Sequence, residues 1–138
     1  MACPYFFPSE PLNARLWVIA PRMPLGEAYD GTCRAETDEV FQPSREVVRE
    51  LCNCGYARGR CERFPVGAAG DAVRLSLMDE ADGKLRMTWI IEAEHVPVEH
   101  GTIVYDLREG SMEGSQDAVM SAQVRALVAT YLRRVQAR

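Results

Sequence analysis

The sequence predicts an α+β domain in which a long C-terminal helix packs on an antiparallel sheet of three or more strands. Two observations predict this fold. Apolar and polar residues alternate in three successive segments of the second half, and apolar residues recur at helical spacing near the C-terminus. The chain has 138 residues, which suits a single domain. We divide it into a cysteine-rich metal-binding region, 1–66, and a sheet-and-helix region, 67–138.

Three strands are predicted in the second region. Apolar residues alternate with polar ones over 71–79, over 85–92 and over 102–107, as expected for strands with one buried face. The segment Ala81-Asp82-Gly83 reads as a turn between the first two strands. The order of the segments predicts a three-stranded antiparallel meander.

The chain then ends in a predicted long helix. Ser115 is expected to cap its N-terminus, and Asp117 to interact favourably with the positive end of the helix dipole. An apolar stripe recurs at helical spacing and consists of Met120, Val124, Leu127, Val128, Tyr131 and Val135. Such a stripe needs an apolar partner, and a face of the sheet is the natural one.

The first region contains all five cysteines and seven of the eight prolines. The prolines predict an irregular, extended chain that wraps the rest of the domain. Residues 15–19 are a candidate strand, and residues 43–52 predict a short helix capped by Ser44, with Gly55 at its C′ position. Cys52 would then lie in the last helical turn and Cys54 just beyond it.

The cysteines suggest a metal site. Three lie within residues 52–61, and the intervals along the chain are 29, 18, 1 and 6 residues, without the C-x2-C spacing of structural zinc sites. A [4Fe–4S] cube places its thiolate ligands on separate irons, so the ligands can come from distant points of the chain. We therefore favour a [4Fe–4S] cluster. Zinc, unliganded buried thiols and disulfides are the alternatives.

Four ligands are chosen from the five thiols. Cys3, Cys33 and Cys61 are each alone in their neighbourhood, and Cys52 is preferred over Cys54 as the fourth because a longer loop can then wrap the cluster. Cys54 is the competing ligand. The predicted neighbours of the cluster are Tyr5 and Tyr56, which exclude water, and Arg58 and Arg60, together with Arg63, which offset its negative charge.

Several other kinds of function are disfavoured. The net charge of −4 argues against non-specific nucleic-acid binding. No segment approaches the roughly 18–20 apolar residues that span a bilayer. The N-terminal residues do not resemble a secretory signal. We therefore expect a cytoplasmic protein, in which thiols stay reduced unless a metal holds them.

No phosphate-binding loop, nucleophile elbow or H-E-x-x-H motif occurs, so we expect that the chain is not an enzyme by itself. His95 and His100 lie among glutamates and suit a metal, but a solvated loop is the expectation there. The favoured function is electron transfer with a redox partner protein or larger complex. Redox or oxygen sensing is one alternative, and a zinc-stabilised or metal-free protein-interaction module is another.

Overall fold

The computed structural model describes residues 1–12, 25, 28–36, 39–115 and 117–136. Within these residues the chain forms seven strands, a short helix that continues as a π-helical turn, and a long helix. In chain order they are β1 (Phe6–Pro11), β2 (Tyr29–Glu36), β3 (Glu39–Phe41), α1 (Arg45–Val47) with its π-helical turn (Val48–Cys52), β4 (Ala72–Ala81), β5 (Lys84–Ala93), β6 (Val96–Asp106), β7 (Met112–Glu113) and α2 (Ala118–Gln136).

The strands form two antiparallel sheets, with the orders β1-β2-β3 and β4-β5-β6-β7. The second sheet contains the predicted meander. Asp82 and Gly83 join β4 to β5 in a two-residue turn with φ angles of 54° and 74°, the left-handed conformation that tight hairpins require. Glu94 and His95 join β5 to β6 in the same way, with φ angles of 52° and 64°. The predicted α+β class is confirmed, but a tight hairpin replaces the loop expected around His95.

The first sheet lies in the half of the chain that was expected to be irregular. Pro8 lies opposite Gly31 in the β1–β2 ladder. Prolines fit there because β1 is an edge strand, so the missing N–H groups leave no gap inside the sheet. The candidate strand at 15–19 falls outside the described residues.

The N-cap of the long helix lies two residues later than predicted. The amide of Met120 donates to Asp117 Oδ1 at 2.7 Å, so Asp117 rather than Ser115 is the N-cap. The Ser115 hydroxyl instead donates to the Asp117 carbonyl oxygen at 3.2 Å. Most of the predicted stripe is buried or half-buried, whereas Val135, near the C-terminal end, is 45% exposed.

One cluster of buried apolar side chains connects both sheets with α2. The helix packs on β1, and the Tyr29 hydroxyl on β2 donates to the Ala126 carbonyl oxygen at 2.7 Å. The two regions of the sequence therefore share their core. Among the described residues, the helices are too short or too polar to cross a membrane.

Candidate metal centre

The helical segment that ends at Cys52 begins with a side-chain cap. Ser44 Oγ accepts a hydrogen bond from the Val47 amide at 3.3 Å, as the sequence predicts. The segment then widens into the π-helical turn and ends at its C-cap, Asn53. Gly55, with φ 76°, was predicted at the C′ position but lies one residue beyond it, at C″. A Cβ atom on Gly55 would lie only 2.8 Å from the Ala72 Cβ, so a glycine is needed for this close approach to β4.

Asn53 connects this segment to β2 by hydrogen bonds. Its side chain is buried, and its Nδ2 donates to the carbonyl oxygens of Tyr29 at 2.9 Å and Val48 at 2.8 Å. Its Oδ1 accepts from the Tyr29 amide at 2.9 Å. Because β2 carries Cys33, this amide fixes the segment of Cys52 relative to the strand of Cys33. This role of Asn53 was not predicted, although a polar residue between two cysteines was a visible signal.

The N-terminal residues bring Cys3 to the same place. The Cys3 amide donates to the Cys52 carbonyl oxygen at 3.0 Å. Gln123 Nε2 on α2 donates to the carbonyl oxygens of Cys3 and Phe6, at 2.9 Å each. Ala2 exchanges two backbone hydrogen bonds with Val73 on β4. The first residues are thus held by a helical segment, a strand and α2, and the role of Gln123 was not predictable from the sequence.

The other two thiols come from a strand and a loop. Cys33 lies on the central strand β2, opposite Phe6 on β1 and Phe41 on β3. Cys61 ends the loop after Gly55, where its amide donates to the Ala57 carbonyl oxygen at 2.8 Å. The Cys61 carbonyl oxygen then accepts from the Phe64 amide at 3.2 Å.

Cys3, Cys33, Cys52 and Cys61 all line one cavity. Its walls are otherwise mainly apolar and include Tyr5, Phe6, Phe41, Leu51 and Phe64. Cys3 and Cys52 are buried, whereas Cys33 and Cys61 are partly exposed, so the cavity has a closed and an open side. It is narrow, with a volume of about 30 Å³. The structure thus brings together the four cysteines that were favoured as ligands.

The cavity keeps its buried thiols protonated. Burial, with a smaller contribution from the nearby Cys33 and Cys61 thiols, raises the pKa of Cys3 to about 12. The pKa of Cys52 is raised in the same way, first by burial and then by the neighbouring thiols. At neutral pH these two groups are therefore neutral, and a metal must displace their protons in order to bind.

Cys54 lies outside the cavity lining. Its Sγ donates to the Arg49 carbonyl oxygen at 3.5 Å, and burial raises the pKa of its thiol. The side chain is partly exposed. The neighbours of Cys54 are thus the end of the helical segment and the chain terminus, not the other four thiols.

Of the predicted aromatic and basic neighbours, Tyr5 and Arg63 line the cavity. Tyr56 does not. Its ring stacks on His95 with centroids 4.2 Å apart, and its hydroxyl donates to the buried Glu92 Oε1 at 2.5 Å. Arg60 is exposed and is also not part of the lining.

Arg58 acts on the loop of Cys61 rather than on the cavity directly. Its Nε donates to Asp71 Oδ1 at 2.7 Å, and its guanidinium lies 4.9 Å from the centre of the Phe64 ring. The Glu94 amide and the Arg58 guanidinium hold the pKa of Asp71 below its usual value. Arg58 and Tyr56 therefore connect the loop of Cys61 to Asp71, which precedes β4, and to Glu92 on β5.

Within the described residues, all five cysteines are free thiols. No group of three or more His, Cys, Asp or Glu side chains in this part of the chain has the arrangement that a single metal ion requires. Comparisons with protein families, with characterised proteins and with solved structures find no match for this chain.

Proposed function

We propose that this chain is a small iron–sulfur protein that binds one [4Fe–4S] cluster through Cys3, Cys33, Cys52 and Cys61 and transfers single electrons between redox partner proteins. The supporting observation is that these four thiols, from four separate segments, line one apolar cavity. We further propose a cytoplasmic location, where unliganded thiols stay reduced.

The chemistry of the donors fits this cluster. Thiolates are the usual ligands of iron–sulfur clusters, and four of them complete a cube. A zinc ion needs four sulfurs about 2.3 Å from one point, whereas a cube holds each thiolate on its own iron. Ligation to four separate irons suits thiols that lie at different points of a cavity wall. Because the cavity is narrow, cluster insertion requires its open side, near Cys33 and Cys61, to move outward.

When bound, such a cluster supplies a reversible one-electron couple. The two sides of the cavity then have different roles. The buried side, at Cys3 and Cys52, holds the cluster away from water, and the edge-to-face pair of Tyr5 and Phe64, with centroids 5.7 Å apart, closes the wall. The partly exposed side, at Cys33 and Cys61, is where a partner protein approaches closely enough for electron transfer.

A redox titration after anaerobic reconstitution with ferrous iron and sulfide tests this proposal. We expect a single reversible one-electron step that survives repeated reduction and oxidation. The control is the Cys33→Ser/Cys61→Ser double variant, which should take up no cluster and show no step. A wild-type cluster that forms but is destroyed in its first redox cycle would exclude an electron carrier.

One observation favours redox or oxygen sensing as a second candidate. The Cys3 segment is tied to α2 through Gln123 and to β4 through Val73, so loss of a ligated cluster would loosen contacts with both elements. A sensor should lose hydrogen-exchange protection at the amides of Ala2 and Phe6 when air destroys the cluster. In an electron carrier, the hydrogen bonds of the protein itself should hold the cavity together without the cluster. The amides of Ala2 and Phe6 should then keep their hydrogen-exchange protection.

A further inference from the structure

Arg63 is the charged residue among the described side chains that line the cysteine cavity. Its guanidinium carbon lies 3.9 Å from the centre of the Phe41 ring, which holds the planar group by a cation–π contact. Its Nη2 lies 3.6 Å from a carboxylate oxygen of Glu36 and equally far from one of Glu39. The cation is therefore fixed at the cavity edge by a ring and two carboxylates.

The Nε of Arg63 is the unusual atom of this group. It is buried and has no hydrogen-bond partner among the residues that the structure describes. A buried guanidinium N–H without an acceptor is unfavourable because it has lost its hydrogen bonds to water, so it calls for an explanation. The other Arg63 contacts are at ion-pair distance and do not satisfy this N–H. An acceptor inside the cavity would do so, and the sulfur atoms of a bound cluster are acceptors of this kind.

We infer that Arg63 sets the reduction potential of the cluster by placing its charge and its Nε–H at the cluster's edge, an inference that rests on the proposed function. Four thiolates make the loaded site negative, and reduction adds one further negative charge. A cation nearby stabilises the reduced form more than the oxidised form, so it raises the potential. The added electron comes from a partner redox protein, and no bond or proton of Arg63 changes in the step.

The test compares midpoint potentials of reconstituted wild type, Arg63→Gln and Arg60→Gln. In Arg63→Gln we expect full iron and sulfide content and at least a tenfold lower ratio of reduced to oxidised cluster at a fixed potential. For a one-electron couple that is a shift of about 59 mV to more negative values. Arg60→Gln removes an equal charge from an exposed residue outside the lining and should leave the potential within a small fraction of this shift.

The Glu36→Gln/Glu39→Gln variant tests the same inference by a shift of the midpoint potential in the opposite direction. It leaves the residues that line the cavity unchanged. Removing the two carboxylates leaves the charge of Arg63 less compensated, so the potential should rise. This shift should be smaller than the one in Arg63→Gln, because the side chains of Glu36 and Glu39 are 60% and 54% exposed. If Arg63→Gln takes up no iron, this variant still tests the inference, because a potential that does not rise would contradict it.

The experiments distinguish a failure of the inference about Arg63 from a failure of the proposed function. Loaded Arg63→Gln with the potential of wild type, or a Glu variant without a positive shift, overturns the role of Arg63 and leaves the cluster in place. Wild-type protein that takes up no iron and sulfide overturns the proposed function itself, and the inference with it.

Discussion

The backbone amide of Cys3 donates a hydrogen bond to the carbonyl oxygen of Cys52 at 3.0 Å. Two cysteines that are distant in sequence are therefore joined directly through their backbones. Both side chains are buried against the same cavity. Because protein contacts already fix this side of the cavity, a cluster would meet two of its ligands in place and would have to order mainly the exposed side.

Cys52 and Cys54 provide a matched pair for testing the ligand assignment. Cys52→Ser should lower iron and sulfide uptake by more than tenfold, because even outer-shell changes reduce metal affinity by about 10–100-fold. Cys54→Ser should keep the wild-type content, since Cys54 lies outside the cavity lining. Iron and sulfide analysis after identical anaerobic reconstitution measures both. A Cys54→Ser protein without iron would contradict the assignment.

Gln123 should stabilise the fold through the Cys3 segment. Its side chain is fully buried, and Gln123→Leu leaves the carbonyl oxygens of Cys3 and Phe6 without this donor. We expect the free energy of unfolding to fall by about 2 kcal/mol, the scale for unsatisfied buried acceptors. Urea denaturation of the metal-free protein measures it. Gln136→Leu, at the exposed end of the same helix, is the control, and equal effects at both positions would refute this role.

The stability of the metal-free protein should fall in alkaline solution because of Cys3. Folding raises the pKa of this thiol from 9.0 to about 12, so the native state favours the protonated form. The associated stabilisation is complete below pH 9 and is lost as the pH rises through 12. The slope is about 1.4 kcal/mol per pH unit for one such group.

Denaturation midpoints of wild type and Cys3→Ala between pH 9 and pH 12 measure this effect. Wild type should lose stability more steeply than the variant, and parallel curves would show that the Cys3 thiol is not the titrating group. Metal uptake should respond in the opposite direction, since binding releases the thiol protons and is favoured by rising pH.

The start of α2 offers a second stability test. Asp117→Ala should lower the free energy of unfolding by about 1 kcal/mol, because it removes the acceptor of the Met120 amide. Ser115→Ala should have a smaller effect, since Ser115 donates to a backbone oxygen before the helix rather than capping its first turn. Thermal unfolding of the two variants gives the comparison, and a larger loss for Ser115→Ala would assign the cap to Ser115.

The second half of the fold was predictable because its pattern is local. The alternation in β4, β5 and β6 and the Asp82-Gly83 turn each specify structure within a few residues. The sheet β1-β2-β3 was not predictable in this way. Its prolines lie on an edge strand, where they are tolerated, but that position depends on β2 pairing with it from a distant part of the chain.

The candidate site was likewise predictable only in part. Sequence spacing favoured the four cysteines that share the cavity, because three of them are isolated along the chain. It could not separate Arg63 from Arg58 and Arg60, since all three lie in or next to the loop of Cys61. Only the fold places Arg63 on Phe41 and turns Arg58 towards Asp71. Asn53 and Gln123 act through distant backbone groups, which a single sequence does not reveal.

The most direct test of the central claim is the metal content of protein purified without oxygen. We predict a brown protein with about four irons and four sulfides per chain, the composition of one [4Fe–4S] cluster. The Cys3→Ser/Cys52→Ser variant, prepared in parallel, should be colourless. Wild-type protein that is colourless, whether it holds about one zinc ion or no metal, would contradict the account and make the four thiols a structural zinc site or an ordinary buried cluster.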